Sequence, residues 1–238
     1  MSVFAQGAHG VRLEWGPAAI EQAGRDVDCV IVVDVMSFST CVDIACGRGA
    51  TVLPYAWRDD GALAYAQGIG AVLASRERGV GGGFSLSPAS LASVPAGLKL
   101  VLPSPNGSAI SFAARALGAA VFCGSLRNRT ATAAACRGFE RILVVACGER
   151  WPDGSLRPAL EDWIGAGAIV AALGRDDLSP EARAAVAAHE AMGTGVLATC
   201  GSALELVERG FAPDVAACLD EDASPRACIL RGAGYATA

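Results

Sequence analysis

The sequence predicts an α/β fold built on a mostly parallel sheet. Two observations carry that expectation. Cys29-Val30-Ile31-Val32-Val33 is a short, continuous, β-branched run leading into the single carboxylate Asp34, the pattern of a strand buried on both faces. Such runs then alternate with Ala-rich helical stretches, a βαβαβ rhythm that implies parallel strands joined by right-handed crossovers.

Taken in order, residues 1–28 form an entry segment, with a strand near Val11–Trp15 and a short helix from Pro17. After the Cys29–Val33 strand, Ser39 and Thr40 are candidate caps for a helix that ends at Gly47-Arg48-Gly49. Thr51–Tyr55 reads as a strand, Asp59–Gln67 as a helix and Ala71–Ala74 as a strand. From Arg76 to Pro95 the composition shifts to Gly79-Val80-Gly81-Gly82-Gly83 and Ser85-Leu86-Ser87-Pro88. A connection this long is either functional or a linker, so residues 1–238 read as one unit, or as two closely packed subdomains around that segment. Lys99–Leu102 restores a strand, Ala109–Leu117 a helix, Ala120–Cys123 a strand, and an Ala-rich helix runs to Arg137. Arg141–Ala146 is a strong strand and Leu160–Leu173 a helix with Glu161 and Asp162 in its first turn. Pro180–Ala191 follows with Ser179 as N-cap before a proline, and Thr199–Glu208 is a short helix closed by Gly210. Val215–Leu219 reads as a late strand, and Ile229-Leu230 as an edge.

At 238 residues, 53% hydrophobic and 18% charged, the chain can bury a sizeable core. No apolar run reaches the roughly 18 residues of a membrane span, and the N-terminus lacks the basic-then-apolar order of a signal peptide; a cytoplasmic protein is expected. A net charge of −5 argues against a nucleic-acid partner. The nine cysteines form no CxxC pair and lie mostly in apolar segments, which speaks against a disulfide framework or zinc site. Lys99 is the only lysine, so any anion pocket must use arginines and backbone amides. The apolar, Ala-rich helices would permit a homodimer.

Three strand ends repeat one design: Asp34-Val35-Met36-Ser37, Ser104-Pro105-Asn106-Gly107 and Gly124-Ser125-Leu126-Arg127-Asn128. Each passes through small polar residues into a helix, whose free N–H groups attract phosphate and other anions. With Cys147-Gly148-Glu149 as a fourth loop, they predict a polar cleft on one sheet edge, where α/β folds bind ligands. Asp34, Glu149, Glu161 and Asp162 supply hard oxygen ligands suited to Mg²⁺; for Glu161 and Asp162 the alternative is simple compensation of their own helix dipole. Cys123-Gly124-Ser125-Leu126-Arg127-Asn128-Arg129-Thr130 also fits C-x5-R-T, the pattern of cysteine-dependent phosphatases. Against it, no His precedes the cysteine and the loop holds one glycine. Asp220-Glu221-Asp222 fits a phosphatase DxD, at the wrong end of the chain. No GxxxxGK[ST], GxSxG or GxGxxG occurs.

The ordered set of Val32-Val33-Asp34-Val35 with Ser39-Thr40, Pro105-Asn106-Gly107-Ser108, Gly124-Ser125-Leu126-Arg127-Asn128, Val145-Ala146-Cys147-Gly148-Glu149, Ala159-Leu160-Glu161-Asp162 and Asp214-Val215…Cys218-Leu219…Asp222 resembles the 2-phosphosulfolactate phosphatase (ComB-like) family. The resemblance implies a three-layer α/β/α fold with a mostly parallel or mixed sheet. It also implies a Mg²⁺-dependent phosphatase that converts 2-phosphosulfolactate to 3-sulfolactate and phosphate, a step toward coenzyme M. By position, Asp34, Asn106, Asn128, Glu149, Glu161 and Asp162 fall in the family's motifs. Two stretches depart from it: Ser37-Phe38-Ser39 stands where Arg-Ala-Thr is common, and Leu86-Ser87-Pro88 where Asn-Ser-Pro is usual.

Together these readings make Asp34, Glu149 and Glu161 the expected catalytic acids, with Asp34, Glu149 and Asp162 the expected Mg²⁺ ligands. Asn106, Gly107, Ser108, Ser125, Arg127, Asn128 and Arg129 are expected to bind a small phosphorylated anion. The alternatives are a cysteine phosphatase using Cys123 and Arg129, and a non-catalytic anion-binding paralogue.

Overall fold

The computed structural model describes residues 3–56, 61–75, 77–79 and 83–238. The entry strand β1 (Val11–Trp15) and helix α1 (Ala18–Ala23) lead to β2 (Cys29–Val33) and α2 (Phe38–Gly47). Then come β3 (Thr51–Ala56), α3 (Ala62–Gly68), β4 (Val72–Leu73), the single turn α4 (Pro88–Leu91), β5 (Lys99–Ser104) and α5 (Gly107–Arg115). The chain continues through β6 (Ala120–Gly124), α6 (Arg129–Cys136) and β7 (Ile142–Ala146) to the small hairpin β8 (Glu149–Arg150) and β9 (Leu156–Arg157). Helices α7 (Leu160–Leu173), α8 (Pro180–Met192), α9 (Gly201–Glu208) and α10 (Ala212–Cys218) precede the terminal hairpin of β10 (Cys228–Arg231) and β11 (Gly234–Thr237).

Among the described residues a nine-stranded mixed sheet runs in the order β1-β7-β2-β6-β10-β11-β3-β5-β4. Strand β2 is buried throughout because both faces are covered. Val30 and Val32 join the core formed with α1, α2, α4 and α5, while Cys29, Ile31 and Val33 join the core formed with α6, α7 and α8. This is a three-layer α/β/α arrangement. Helix α7 packs so closely on its neighbours that a Cβ on Gly167 would stand 2.1 Å from the Ala185 carbonyl oxygen of α8 and one on Gly165 2.7 Å from the Val35 side chain, which explains these two glycines. Ser179 caps α8 as expected, accepting from the Ala182 N–H at 3.1 Å.

The sheet differs from the expected βαβ series in its middle. The pairings β6–β10, β10–β11 and β11–β3 are all antiparallel. Three reversals leave β3, β5 and β4 running opposite to β1, β7, β2 and β6. Ile229-Leu230 is therefore internal to the sheet rather than its edge. The loop at Asn106 leaves β5 in the opposite sense to the loop at Asp34. Five steps of right-handed twist separate β2 from β5, about 110° in all, and this coiling turns the two strand ends toward each other.

Two further expectations are corrected. Val215–Leu219 is not a strand: Ala212–Cys218 is helix α10, with Pro213 and Asp214 in its first turn, positions where a missing N–H and a negative charge suit a helix. Ser39 and Thr40 do not cap α2 but lie inside its first turn, with Ser37 at the cap position. Within 76–95, residues 76 and 80–82 lie outside the described residues; Pro88–Leu91 is helical and Ser75 bridges Ser85. No helix among the described residues is long and apolar enough to cross a membrane.

Candidate active site

The turn after β2 holds Asp34 with unusual completeness. The Asp34 N–H donates to Ser39 Oγ at 2.9 Å, and that hydroxyl donates on to the Val32 carbonyl at 3.1 Å. The Thr40 hydroxyl ties back to the Val35 carbonyl at 2.9 Å. Of the Asp34 carboxylate oxygens, Oδ1 accepts the Phe38 N–H at 3.0 Å and Oδ2 the Gly107 N–H at 3.1 Å. The first N–H groups of α2 and α5 thus converge on one carboxylate, the use of helix N-termini that favours negative charge.

Around it stand three further acids. Glu149 enters from β8 and accepts a hydrogen bond from Asn106 Nδ2. Asp162, buried at the start of α7, takes the Val35 and Gly148 N–H groups, each at 2.8 Å, and so locks the β2 turn to the β7 turn. Glu161 is buried beside Cys200, whose thiol donates to its Oε2 at 3.4 Å. Burial, with the charges of Glu149 and Glu161 added, pushes the Asp34 carboxyl up to about 7 against the pull of its two N–H donors. Burial also raises Glu149, partly offset by the Arg157 charge. Asp162 is driven well above the ordinary range by burial and then by Asp34 and Glu161. Crowded carboxylates of this kind hold protons and resist full ionisation unless a cation enters.

Asp34, Ser37, Asn106 and Glu149 line a cleft of about 320 Å³ together with Arg78, Arg157 and Arg209, and Arg157 is the cross-strand neighbour of Glu149 in the β8–β9 hairpin. Arg78 pairs with buried Asp214 at 2.7 Å and donates to Ser37 Oγ. Arg157, on β9, donates to Ser202 Oγ at 3.1 Å and lies over the Trp151 ring. Arg209 pairs with Glu205 at 3.1 Å, and with Arg78 it flanks the Phe211 ring. Ser202, Glu205, Leu206 and Arg209 all line the cleft, the i, i+3, i+4, i+7 spacing of one helix face. Sequence reasoning missed all three arginines; the α9 spacing was an available signal for Arg209 alone, while Arg78 and Arg157 are gathered only by the fold.

The remaining expected residues lie elsewhere. Gly107 spends its N–H on Asp34, and the buried Ser108 hydroxyl donates to the Leu102 carbonyl at 3.0 Å. Ser125 and Asn128 cap each other, the Ser125 N–H donating to Asn128 Oδ1 at 2.8 Å. Arg127 pairs with Asp43 and Asp220, and Arg129 with Glu221 and Asp222. Neither arginine lines the cleft, because the Gly124–Asn128 turn packs against the 220–224 segment instead. The cysteine mechanism fails on the same geometry. Cys123 is buried, its thiol donates to Ser39 Oγ at 3.3 Å, and burial raises it far from a thiolate. Asp220-Glu221-Asp222 forms ion pairs with Arg127 and Arg129, not a catalytic dyad.

Among the described residues no group of three or more His, Cys, Asp or Glu side chains forms a metal-holding cluster. The donor set is therefore wrong for a dedicated all-protein cage. It remains suited to Mg²⁺, which keeps several waters and takes one or two carboxylates: each Asp34 oxygen accepts one backbone N–H, and among the described residues no side-chain cation is bonded to it.

No curated protein matches the chain. Among protein families, the one described as 2-phosphosulpholactate phosphatase matches residues 17–232 of the 238. This match spans the β2 turn, the Asn106 turn, the Glu149 hairpin and the start of α7, as the sequence resemblance implied. The chain belongs to the 2-phosphosulpholactate phosphatase family, a family of phosphoric monoester hydrolases.

Proposed function

We propose that the cleft hydrolyses 2-phosphosulfolactate to 3-sulfolactate and phosphate, with Mg²⁺ as cofactor. The observation that carries this reading is the gathering in one cleft of Asp34, Asn106 and Glu149 with the three arginines Arg78, Arg157 and Arg209. A phosphomonoester with two further acid groups needs cationic partners for those groups, and guanidinium forks suit sulfonate and carboxylate oxygens better than point charges do.

Asp34 would hold Mg²⁺, water completing its shell; the ion would supply neutralisation of phosphoryl charge. Two helix-terminal N–H groups fix the Asp34 carboxylate in place, which supports a ligand role over proton transfer. Glu149 reaches the cleft with a raised carboxyl and carries the proton needed by the leaving oxygen. Asn106 orients Glu149. Arg157 and Arg209 bind the acid groups remote from phosphorus, holding the ester for reaction. Glu161 and Asp162 support this arrangement from below, because one faces Cys200 and the other spends both oxygens on backbone N–H groups.

A panel of phosphorylated hydroxy acids assayed with Mg²⁺ and with EDTA tests the reading. Hydrolysis of 2-phosphosulfolactate ahead of phospholactate is expected. Absence of hydrolysis across the panel would favour the non-catalytic anion-binding alternative.

A further inference from the structure

Asp214 has no part in the chemistry assigned to the cleft, yet it stands only 1% exposed in the first turn of α10. A buried carboxylate must be matched by donors or a cation, and this one gathers them from two other segments. Its Oδ1 accepts the Ser87 hydroxyl at 2.7 Å and the Ala89 N–H at 3.0 Å, and its Oδ2 accepts Arg78 Nη1 at 2.7 Å.

Arg78 is thereby fixed at the cleft. Its Nη2 donates to Ser37 Oγ, and that hydroxyl donates on to the Leu86 carbonyl at 3.3 Å. The guanidinium also lies over the Phe211 ring, 5.8 Å from its centroid. Arg78 lines the cleft with its side chain 10% exposed. Among the described residues it spends one N–H on Asp214 and one on Ser37, out of about five that a guanidinium carries. Arg209, by contrast, is 54% exposed and pairs with an exposed glutamate, Glu205. Ser37 immediately precedes Phe38, whose N–H holds the Asp34 carboxylate, so the Arg78 head is anchored on the Asp34 turn itself. A donor fixed before binding meets a developing charge without first being ordered, and the guanidinium fork matches phosphoryl oxygens.

We propose that Arg78 is the phosphoryl-binding arginine of the cleft, and that Asp214 is its positioning residue. This assignment rests on the cleft being a phosphomonoesterase site.

The test measures binding of inorganic phosphate and of 3-sulfolactate to the full chain by calorimetry, with Mg²⁺ present throughout and circular dichroism checking each fold. Arg78→Ala should weaken phosphate about tenfold or more and 3-sulfolactate by less than about threefold, and Arg209→Ala should do the reverse. Arg78→Lys keeps the charge on Asp214 but loses the fork; it should weaken phosphate about fivefold and serves if the alanine variant does not fold. Asp214→Asn can keep its acceptor for Ser87 and Ala89 while turning an amide NH2 toward Arg78, and should weaken phosphate about tenfold. Added to Arg78→Ala it should weaken phosphate no further, a non-additivity that a merely structural role for Asp214 would not give. Unchanged phosphate affinity in Arg78→Ala, a larger loss for 3-sulfolactate than for phosphate, or additive losses in the double variant would overturn the proposal. Phosphate binding that depends on Arg78, in a wild type that leaves 2-phosphosulfolactate uncleaved, would support the proposal and overturn the hydrolytic reading alone.

Discussion

Asp34 Oδ2 accepts the Gly107 N–H at 3.1 Å, and this single bond joins two parallel strand groups that run in opposite senses. Asp34 follows β2; Gly107 opens α5 after β5. The Asp34 side chain therefore couples the geometry of the cleft to the coil of the whole sheet.

Gly107 leaves no room for a side chain at that junction. A Cβ there would lie 2.3 Å from Phe38 Cδ1 and 3.0 Å from Asp34 Oδ2. Gly107→Ala should cost about 1–3 kcal/mol by overpacking, seen as a lower urea midpoint, and should reduce kcat as Asp34 is displaced.

The buried acids make the metal-free protein sensitive to pH. Asp34 ionises near 3.8 when unfolded and at about 7 in the fold, so between these values the folded state binds more protons than the unfolded one. Stability then falls as pH rises through that window, by a few kcal/mol at most for this group, on the order of 4. Thermal melts in EDTA should give a Tm that declines from pH 5 to pH 8. Added Mg²⁺ should raise Tm more at pH 8, where the carboxylate is ionised, than at pH 5.

The arginines and the acids of the cleft should separate kinetically. Arg209→Ala and Arg157→Ala remove binding to the remote acid groups and should raise KM about tenfold or more, with a smaller change in kcat. Glu149→Gln should lower kcat about 10²–10⁴-fold, with the fold retained by circular dichroism.

Cys123→Ala should keep the activity within about threefold, since the thiol is buried against Ser39. Loss of turnover with an intact fold would revive nucleophilic catalysis by that thiol.

Much of the fold is legible in local sequence. The boundaries follow from local pattern: Val11–Trp15 alternates apolar and charged residues up to Gly16, Cys29–Val33 is an apolar run ended by Asp34, and Leu160–Leu173 is a long apolar segment with acids in its first turn, closed by Gly174. What local pattern could not reveal is non-local. The β10–β11 hairpin sits in the sheet's middle because of pairings with Cys123 and Val52, far away in the chain. Val215-Ala216-Ala217-Cys218-Leu219 is too short for its apolar character to separate strand from helix, and Pro213 was the better guide. In the site, Asp34, Asn106 and Glu149 were legible because each lies within three residues of the end of a buried strand. Arg78, Arg157 and Arg209 were not, because each lies in a different element and only the fold gathers them. Arg127 and Arg129 attracted attention by standing next to a strand end, yet their partners at Asp43, Asp220, Glu221 and Asp222 turn them away.

The central claim is that Asp34 with Mg²⁺ drives phosphate release from 2-phosphosulfolactate. The most direct measurement is phosphate release from that ester by wild type and Asp34→Asn, each with Mg²⁺ and with EDTA. The account predicts turnover by wild type with Mg²⁺ alone, abolished by EDTA, and a loss of at least about 10³-fold in Asp34→Asn. Undiminished release in EDTA, or full activity in Asp34→Asn, would contradict it.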